Sequence, residues 1–377
     1  MQNKGLFRPT WVEIDLAALE HNFKQIKKLV GNKAKVLCVV KADAYGHGMV
    51  EVSKKLVKCG ADYFGVASID EAIKLRKSGI KLPILILELI PDEHAGSIVD
   101  YNLTQGISTE KLAQSLNNYA RKKGKIAKVH IKIDTGMGRL GVWHEGALEL
   151  VKKIKKLKNI KIEGIYTHFP CADTDRFFTN HQVRNFDTLI KRLNKNNIDI
   201  PFRHCANSVG VIDYKCSHLN LVRPGLMLYG IYPKENLRPK IELQPVMSFK
   251  TKVLFTKKIP QGRTVSYGRT YIARRPTSIA TLPVGYSDGY LRVLSNKAEV
   301  LIKGARRKIA GRICMDQSMV DLNNLKNVSI GDEVVLVGKQ GKEKITLEEL
   351  ASLAGTISYE LACSIGKNNS NRLFKNT

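Results

Sequence analysis

Apolar runs alternate with amphipathic segments through the first 240 residues of the chain. Segments such as residues 51–58, 70–77 and 110–120 have helical periodicity, and they lie between short runs that are typical of buried strands. These nine runs are residues 12–16, 36–40, 63–67, 83–87, 104–108, 129–133, 162–168, 202–206 and 221–228. Strands that alternate with helices indicate β/α units with a parallel sheet.

Nine runs are one more than an eight-stranded barrel requires. We therefore assign residues 36–40 to the first barrel strand and residues 221–228 to the eighth. The early run, residues 12–16, then lies outside the barrel and pairs with the C-terminal part. A doubly wound open sheet is the alternative, but no G-x-G-x-x-G sequence follows any of the runs.

The pattern changes after about residue 243. Short runs at residues 247–253, 277–283, 298–301, 308–313 and 333–337 are separated by Gly, Pro, Asn and Asp, which is typical of a β-rich domain. We predict a (β/α)8 TIM-type barrel over residues 1–242, of which residues 1–16 associate partly with the second domain. A mostly-β domain follows over residues 243–377, and its polar stretch 367–371 is expected to be exposed.

Composition adds limits on location and partners. The 377 residues are 43% hydrophobic and 25% charged, with no apolar run near the roughly 18 residues that a membrane span needs. The start has no secretory signal pattern, and the seven cysteines form no C-x-x-C pair, so reduced thiols in a cytoplasmic protein are expected. The nine histidines show no metal-ligand spacing, so no metal is predicted.

The formal net charge of +28 raises the question of a nucleic-acid partner. The lysines, however, are spread along the chain. Their densest stretch, residues 152–158, has the pattern of an amphipathic helix with a solvated basic face, and no aromatic residues interleave with it. We therefore expect neither nucleic acid nor membrane as a partner.

Lys41 is the first candidate for chemistry, because it follows the apolar run 36–40 and precedes turn-forming residues. A lysine at the mouth of a buried strand can have a lowered pKa and act as a nucleophile. Barrel enzymes place their reactive groups at the C-terminal ends of strands. The other predicted strands run into Lys132 and Arg139, His168, Ser208, and the pair Arg223 and Gly225.

Ser208 and the backbone N–H near Gly225 follow the last two barrel strands, where many barrels bind a phosphate group. A reactive lysine opposite a phosphate site suggests an enzyme that uses pyridoxal phosphate, with Lys41 as the Schiff-base partner of the cofactor.

The chain resembles the barrel-type alanine racemases from end to end. The resemblance is carried by VVKADAYGHG, KIDTGMGRLG, YTHF, HCANS, VRPGLMLYG, VSYG, LPVGYSDGY and GRICMDQ, in this order. It implies that Lys41 carries pyridoxal phosphate, whose phosphate is held by Tyr45, Ser208, Gly225 and Tyr359.

The resemblance also assigns the groups around the cofactor ring. Arg223 would face the pyridine nitrogen, with His168 beside it. Arg139 would reach the phenolic oxygen of the cofactor and the carboxylate of the substrate. Lys132 corresponds to a lysine that is carbamylated in many family members, which would give an anion that orients the arginine.

Racemisation requires that the α-proton leaves one face of the substrate and returns to the other, so two bases are needed. By the resemblance these are Lys41 and Tyr267, and the backbone N–H of Met315 meets the substrate carboxylate. In the family Tyr267 and Met315 reach the site of the other subunit. A homodimer with shared active sites is therefore implied. The resemblance also implies that the enzyme supplies D-alanine for peptidoglycan.

The sequence departs from the family near its C-terminus, which puts the contribution of that segment in doubt but not the core chemistry, and alternative functions also remain open. Many relatives have an R-V-P-R-like run after the tyrosine that corresponds to Tyr359, whereas here only Arg372 could replace it. A racemase of broader range, for serine or larger amino acids, is a second possibility. An amino-acid decarboxylase of the same fold is a third, although Arg223 argues against it.

Overall fold

The computed structural model describes residues 7–369 and 371–376, and of Glu235 the backbone alone. The chain divides into two compact units. The barrel unit comprises Glu20–Ala44 and Met49–Leu243, and the β-rich unit comprises the residues up to Leu19, Tyr45–Gly48, and the residues from Gln244 onward. For residues 1–6, the predicted association with the second domain lies outside the described residues.

The first strand, β1 (Thr10–Asp15), belongs to the β-rich unit. The barrel unit is built on short strands that pair in parallel. These strands are β2 (Lys35–Val39), β3 (Tyr63–Val66), β4 (Ile84–Ile86), β5 (Thr104–Ile107), β6 (Ala127–Asp134), β7 (Val142–Trp143), β8 (Ile160–Tyr166), β9 (Phe202–His204) and β10 (Leu221–Val222).

Eight of these strands form a nearly closed barrel in the order β10-β2-β3-β4-β5-β6-β8-β9, and β7 adds to the end of β6. The last strand therefore pairs with the first. On the remaining side, the Arg223 N–H donates to the carbonyl oxygen of Ala206 at 2.9 Å, just beyond β10 and β9. The predicted eight-stranded barrel is confirmed.

Helices cover the outside of the barrel because one face of each is apolar. They span Leu16–Val30, Met49–Lys58, Ile69–Lys77, Ala95–Asp100, Glu110–Lys122, Ala147–Lys155, Arg176–Lys195 and Ser208–Asp213. Ser68, Thr109 and Asp175 cap three of these helices by accepting a backbone N–H. The strands are buried on both faces, which explains why they appear as continuous apolar runs in the sequence.

The predicted strand 221–228 is too long. The strand ends at Val222, and Leu226–Tyr229 forms a 3-10 helix. Pro224 has no N–H to continue a ladder, so the apolar residues that follow are buried in a turn of helix and not in a strand.

The β-rich unit has β1 inside its main sheet. This strand pairs antiparallel with β11 and parallel with β21, as the sequence predicted for an early strand outside the barrel. The strands of this part are β11 (Met247–Lys252), β12 (Phe255–Ile259), β13 (Thr264–Val265), β14 (Tyr271–Ile272), β15 (Thr277–Leu282), β16 (Glu299–Ile302), β17 (Ala305–Lys308), β18 (Ser318–Asn323), β19 (Glu333–Gln340), β20 (Glu343–Ile345) and β21 (Arg372–Lys375). The helices Leu347–Ala354 and Ser358–Asn368 complete the unit.

The stretch 367–371 is exposed only in part, since Lys367 and Asn368 are exposed as expected. Asn369 is buried, and the Asn371 side-chain amide donates to the Thr10 carbonyl oxygen at 3.0 Å. The tail therefore leads into β21, which completes the sheet beside β1. Within the described residues, none of the helices combines the length and the apolar character that crossing a membrane would take.

Candidate active site

Lys41 begins an unusual turn at the end of β2. The four residues after it all have positive φ: 51° at Ala42, 52° at Asp43, 57° at Ala44 and 52° at Tyr45. Each L-residue in this left-handed helical conformation costs roughly 1–2 kcal/mol. The Lys41 side chain is 35% exposed, and its Nζ lies 3.7 Å from Glu88 Oε1.

Polar residues alternate along the otherwise apolar β6. His130, Lys132 and Asp134 are two positions apart, so their side chains lie on the same face of the strand. The Asp134 carboxylate accepts three backbone N–H bonds of 2.8–2.9 Å from residues 136–138. These bonds fold the loop that carries Arg139.

Lys132 is buried, with only 6% of its surface exposed, and its Nζ lies 4.5 Å from the ring centroid of Tyr166. Burial and, after it, the nearby cations Arg223 and Arg139 lower the pKa of Lys132 to about 7. A substantial fraction of the amine is therefore uncharged near neutral pH.

Both terminal nitrogens of Arg223 donate hydrogen bonds, and these bonds hold the side chain in place. Nη1 donates to Nδ1 and to the carbonyl oxygen of His204, each at 2.9 Å. Nη2 donates to the carbonyl oxygens of Thr167 at 2.6 Å and of Cys205 at 3.0 Å. The four terminal N–H groups are thus matched by four acceptors, and the Nε–H is the fifth donor of the guanidinium.

Two buried histidines extend the chain of hydrogen bonds that begins at Arg223. Because an arginine can only donate, His204 Nδ1 accepts and its Nε2–H donates to His130 Nδ1 at 2.9 Å. Burial and the charge of Arg223 lower the pKa of His130 to about 3 and that of His204 well below its usual value. Both imidazoles are therefore neutral, and their tautomers follow from the arginine.

His168 lies among the cations that the sequence singled out. Its pKa is lowered well below the usual value by burial, and then by Arg223, Lys132, Arg139 and Lys41. The barrel unit therefore brings Lys41, Lys132, Arg139, His168 and Arg223 into one electrostatic neighbourhood.

Ser208 and Gly225 also meet in the barrel unit. The Gly225 N–H donates to Ser208 Oγ at 3.0 Å, at the start of the helix Ser208–Asp213. The side chain of Asn207 caps this helix by accepting the Gly210 N–H at 2.9 Å. A hydroxyl and backbone donors are the groups that bind a phosphate well.

Tyr45 and Tyr359 belong to the β-rich unit, where their ring centroids lie 6.2 Å apart. Burial raises the pKa of Tyr45 above its usual value, so this phenol stays protonated. Tyr359 is 37% exposed.

Tyr267 and Met315 lie in the same unit, and both are well exposed, at 69% and 55%. The residue before Tyr267, Ser266, has φ 66° and ψ −177°, a conformation that is almost restricted to glycine. Ser266 Oγ donates to the carbonyl oxygen of Arg312. The Met315 carbonyl accepts from the N–H and the hydroxyl of Ser287, at 3.0 and 2.8 Å.

The donor set of the barrel unit fits pyridoxal phosphate. Lys41, Arg139, Arg223 and the partly charged Lys132 all act on His168, whereas the carboxylates of this neighbourhood, Asp134 and Glu88, are fewer. Such an excess of positive charge suits a ligand that carries a phosphate, a phenolate and a substrate carboxylate. The Nε–H of Arg223 is a donor for a ring nitrogen that accepts.

Some residues of this site were missed from the sequence. His204 stands in the HCANS motif and His130 in β6, but neither was given a role, and Asp134 was not recognised as the residue that folds the Arg139 loop. The signal was present: polar residues at every second position of an apolar strand mark a face that is not a simple core.

Comparison with known proteins agrees with this geometry. Residues 14–233 match the profile of the alanine racemase N-terminal domain, and residues 246–373 match that of the alanine racemase C-terminal domain. An alanine racemase of Halothermothrix orenii is 47% identical over 367 residues, which cover 97% of both chains. One from Methanococcus maripaludis is 46% identical over 95% of this chain and 96% of its own.

Solved structures give the same result. The alanine racemase of Clostridium difficile 630 superimposes with a TM-score of 0.93 at 38% identity, covering 98% of this chain and 97% of that chain. The structure from Bacillus anthracis with bound L-Ala-P has a TM-score of 0.92 at 34% identity, covering 99% and 96%. The chain belongs to the alanine racemase family.

Proposed function

We propose that this chain interconverts L-alanine and D-alanine with pyridoxal phosphate as cofactor and with Lys41 and Tyr267 as the two bases. The reaction follows from membership of the family. The observation that supports the mechanism is the position of Lys41. It begins a strained turn, and it acts on His168 together with Arg223, Lys132 and Arg139.

When bound, pyridoxal phosphate withdraws electron density from the α-carbon of the amino acid and so makes the α-proton easier to remove. The residues that would hold it are Lys41, Tyr45, Arg139, His168, Ser208, Arg223, Gly225 and Tyr359. In this assignment the Nε–H of Arg223 would donate to the pyridine nitrogen. Because a guanidinium does not release its protons at accessible pH, Arg223 would keep that nitrogen unprotonated.

By keeping the ring nitrogen unprotonated, Arg223 would limit charge delocalisation and so disfavour protonation at the wrong carbon. We therefore expect Arg223→Glu to slow racemisation by about 100-fold and to increase transamination as a side reaction. An unchanged rate, together with an unchanged absorbance spectrum, would show that Arg223 does not contact the pyridine nitrogen.

The two bases act on opposite faces of the substrate. The Lys41 amine takes or returns the proton on one face, and the Tyr267 phenol does so on the other. Tyr267 is 69% exposed, which suits a group that a second copy of the chain uses. The proposal therefore includes a homodimer whose sites each combine residues of both subunits.

Arg139 and the backbone N–H of Met315 would hold the substrate carboxylate. Lys132 supports this role if its amine is converted to a carbamate, which would pair with Arg139. The pKa of about 7 favours that conversion, because the neutral amine is the form that reacts with CO2.

We further propose that the enzyme works in the cytoplasm and supplies D-alanine for peptidoglycan, the general role of its family. None of the seven cysteines, all within the described residues, forms a disulfide, which is typical of a reducing compartment.

The test is a racemisation assay on purified protein in both directions, combined with its visible absorbance spectrum. We expect a coloured protein whose band changes when either enantiomer of alanine is added, and an equilibrium constant near one. A colourless preparation that does not take up pyridoxal phosphate would contradict the proposal. Faster turnover of serine or a larger amino acid than of alanine would favour a broader racemase.

A further inference from the structure

The left-handed turn after Lys41 needs support from outside itself. The residues with positive φ from 42 to 45 include no glycine, so each adopts a conformation that its own side chain disfavours. Such a backbone persists only where its surroundings hold it in place. Whatever holds the start of this turn therefore also sets the direction of Lys41.

Glu71 provides this support. Its Oε1 accepts the N–H of Ala42 at 2.6 Å, and its Oε2 accepts the N–H of Ala67 at 2.8 Å and that of Ser68 at 3.3 Å. Ala42 and Ala67 follow β2 and β3, which are neighbours in the barrel. A single carboxylate thus ties together the ends of two adjacent strands, one of which carries Lys41.

The contact with Ala42 goes beyond ordinary helix capping. Glu71 is the third residue of the helix Ile69–Lys77, and with Ser68 it forms a capping box. In a capping box the glutamate needs to accept only the N–H of the cap residue. The bond to Ala42 is additional, and it fixes the peptide group that joins Lys41 to Ala42.

The same helix contacts the turn a second time. Asp43 Oδ1 lies 3.6 Å from Lys74 Nζ and accepts the N–H of Met49 at 3.0 Å. Lys74 lies one turn after Glu71 on the same helix. The helix therefore anchors the turn at Ala42 through Glu71, and adds only a weak, partly exposed ion pair at Asp43.

The Lys41 side chain itself is weakly held by comparison. Its ion pair with Glu88 is 3.7 Å long, and the Glu88 side chain is about half exposed. Partly exposed pairs of this kind constrain a side chain little. The backbone, and through it Glu71, therefore determines where the amine points.

We propose that Glu71 is a positioning residue for Lys41: its carboxylate holds the Lys41–Ala42 peptide in the orientation that the reaction needs. This inference rests on the proposed function for its kinetic part, but the anchoring of Ala42 can be measured without any activity.

The experiment compares three variants with the wild-type protein. Glu71→Ala removes both sets of bonds. Glu71→Gln keeps one acceptor oxygen and places an NH2 group against a backbone N–H. Ser68→Ala is the matched control, because it removes the hydroxyl that accepts the Glu71 N–H at 3.2 Å, and so weakens the same cap, but leaves the carboxylate on Ala42.

Two readouts are needed. In the cofactor-loaded enzyme we expect kcat to fall about 100-fold in Glu71→Ala and about 10-fold in Glu71→Gln, with KM changed less than about threefold, because the amine is misplaced while the substrate site remains. In the cofactor-free protein we expect faster hydrogen exchange of the Ala42 amide in both Glu71 variants. Ser68→Ala should match the wild type in both readouts.

A wild-type kcat and a protected Ala42 amide in Glu71→Ala would overturn the proposal. So would an equal loss of kcat in Ser68→Ala, since the cause would then be the stability of the helix. If Glu71→Ala does not fold, the comparison of Glu71→Gln with Ser68→Ala decides. A wild-type protein that protects Ala42 but does not racemise alanine would contradict the proposed function and leave the anchoring intact.

Discussion

The segments that carry Lys41 and Tyr267 share strained backbone but differ in their surroundings. Lys41 precedes four residues with positive φ, and Tyr267 follows Ser266, whose φ is 66°. Lys41 is 35% exposed, whereas Tyr267 is 69% exposed. One candidate base thus lies among the buried groups of its own unit, and the other is presented to the outside.

The difference indicates how the two bases are controlled. Each strained residue costs about 1–3 kcal/mol, and such strain persists where it has a use. In the barrel unit Lys41 acts on His168 together with Lys132, Arg139 and Arg223. For Tyr267 we expect the equivalent groups to come from a second copy of the chain. Four changes test this comparison.

The largest effect is expected at Lys41. Lys41→Arg keeps the charge but removes an amine that can bind the cofactor covalently and exchange a proton, so racemisation should fall by about 10⁴-fold or more in both directions. A racemisation assay measures the rate, and the visible absorbance band should be lost. Residual activity above about 1% of the wild type would show that another group replaces Lys41.

Tyr267→Phe should have the next largest effect. It removes the proton-transferring hydroxyl and leaves the ring, so we expect a loss of about 10³-fold with the cofactor band retained. Because the tyrosine serves one face, solvent hydrogen exchange at the α-carbon should become unequal for the two enantiomers. Equal rates for both, at the wild-type level, would exclude Tyr267 as a base.

The pH dependence of the Lys132 amine tests the part of the comparison that concerns the barrel unit. This amine, with a pKa of about 7, is mostly neutral above pH 7 and mostly protonated below, so carbamate formation should increase as pH rises through 7. Removal of CO2 at about pH 8.5 should lower kcat about tenfold, since a charge-assisted bond to Arg139 is lost. At about pH 6, CO2 should make little difference. Lys132→Met should show no response to CO2 at either pH.

Ser266→Gly should have the smallest effect. Glycine adopts positive φ without strain, so the free energy of unfolding should stay within about 1 kcal/mol of the wild type or increase. The kcat should nevertheless fall roughly fivefold, because Tyr267 is held less firmly. Ser266→Ala keeps the strain but loses the bond to Arg312, and should be about 1 kcal/mol less stable. Parallel loss of stability and kcat in Ser266→Gly would argue against a positioning effect.

The sequence predicted the architecture well because the barrel strands are buried on both faces and so form continuous apolar runs. It overestimated the strand at residues 221–228, since apolar residues in a buried 3-10 helix have the same pattern. It also missed the buried Asn369, because a run of polar residues gives no sign of burial.

For the site, the motifs singled out the groups that bear charge, but not those that hold them. Glu71 accepts the Ala42 N–H and His204 accepts from Arg223, and these contacts join positions 29 and 19 residues apart. Asp134 bonds to N–H groups just after it in the chain, but this carboxylate lies on the same strand face as Lys132 and carries no sign of its role in the loop. The sequence also gives no sign of the run of positive φ from Ala42, because alanine and tyrosine ordinarily avoid this conformation.

The central claim is that Lys41 of one copy works with Tyr267 of another, and it can be tested by mixing two inactive variants. Lys41→Ala and Tyr267→Phe subunits should be unfolded and refolded together. Half of the dimers formed at random are mixed, and each mixed dimer has one intact site, so about a quarter of the wild-type activity should return. If the mixture stays as inactive as its components although mixed dimers form, the two bases belong to one chain or are not the bases at all.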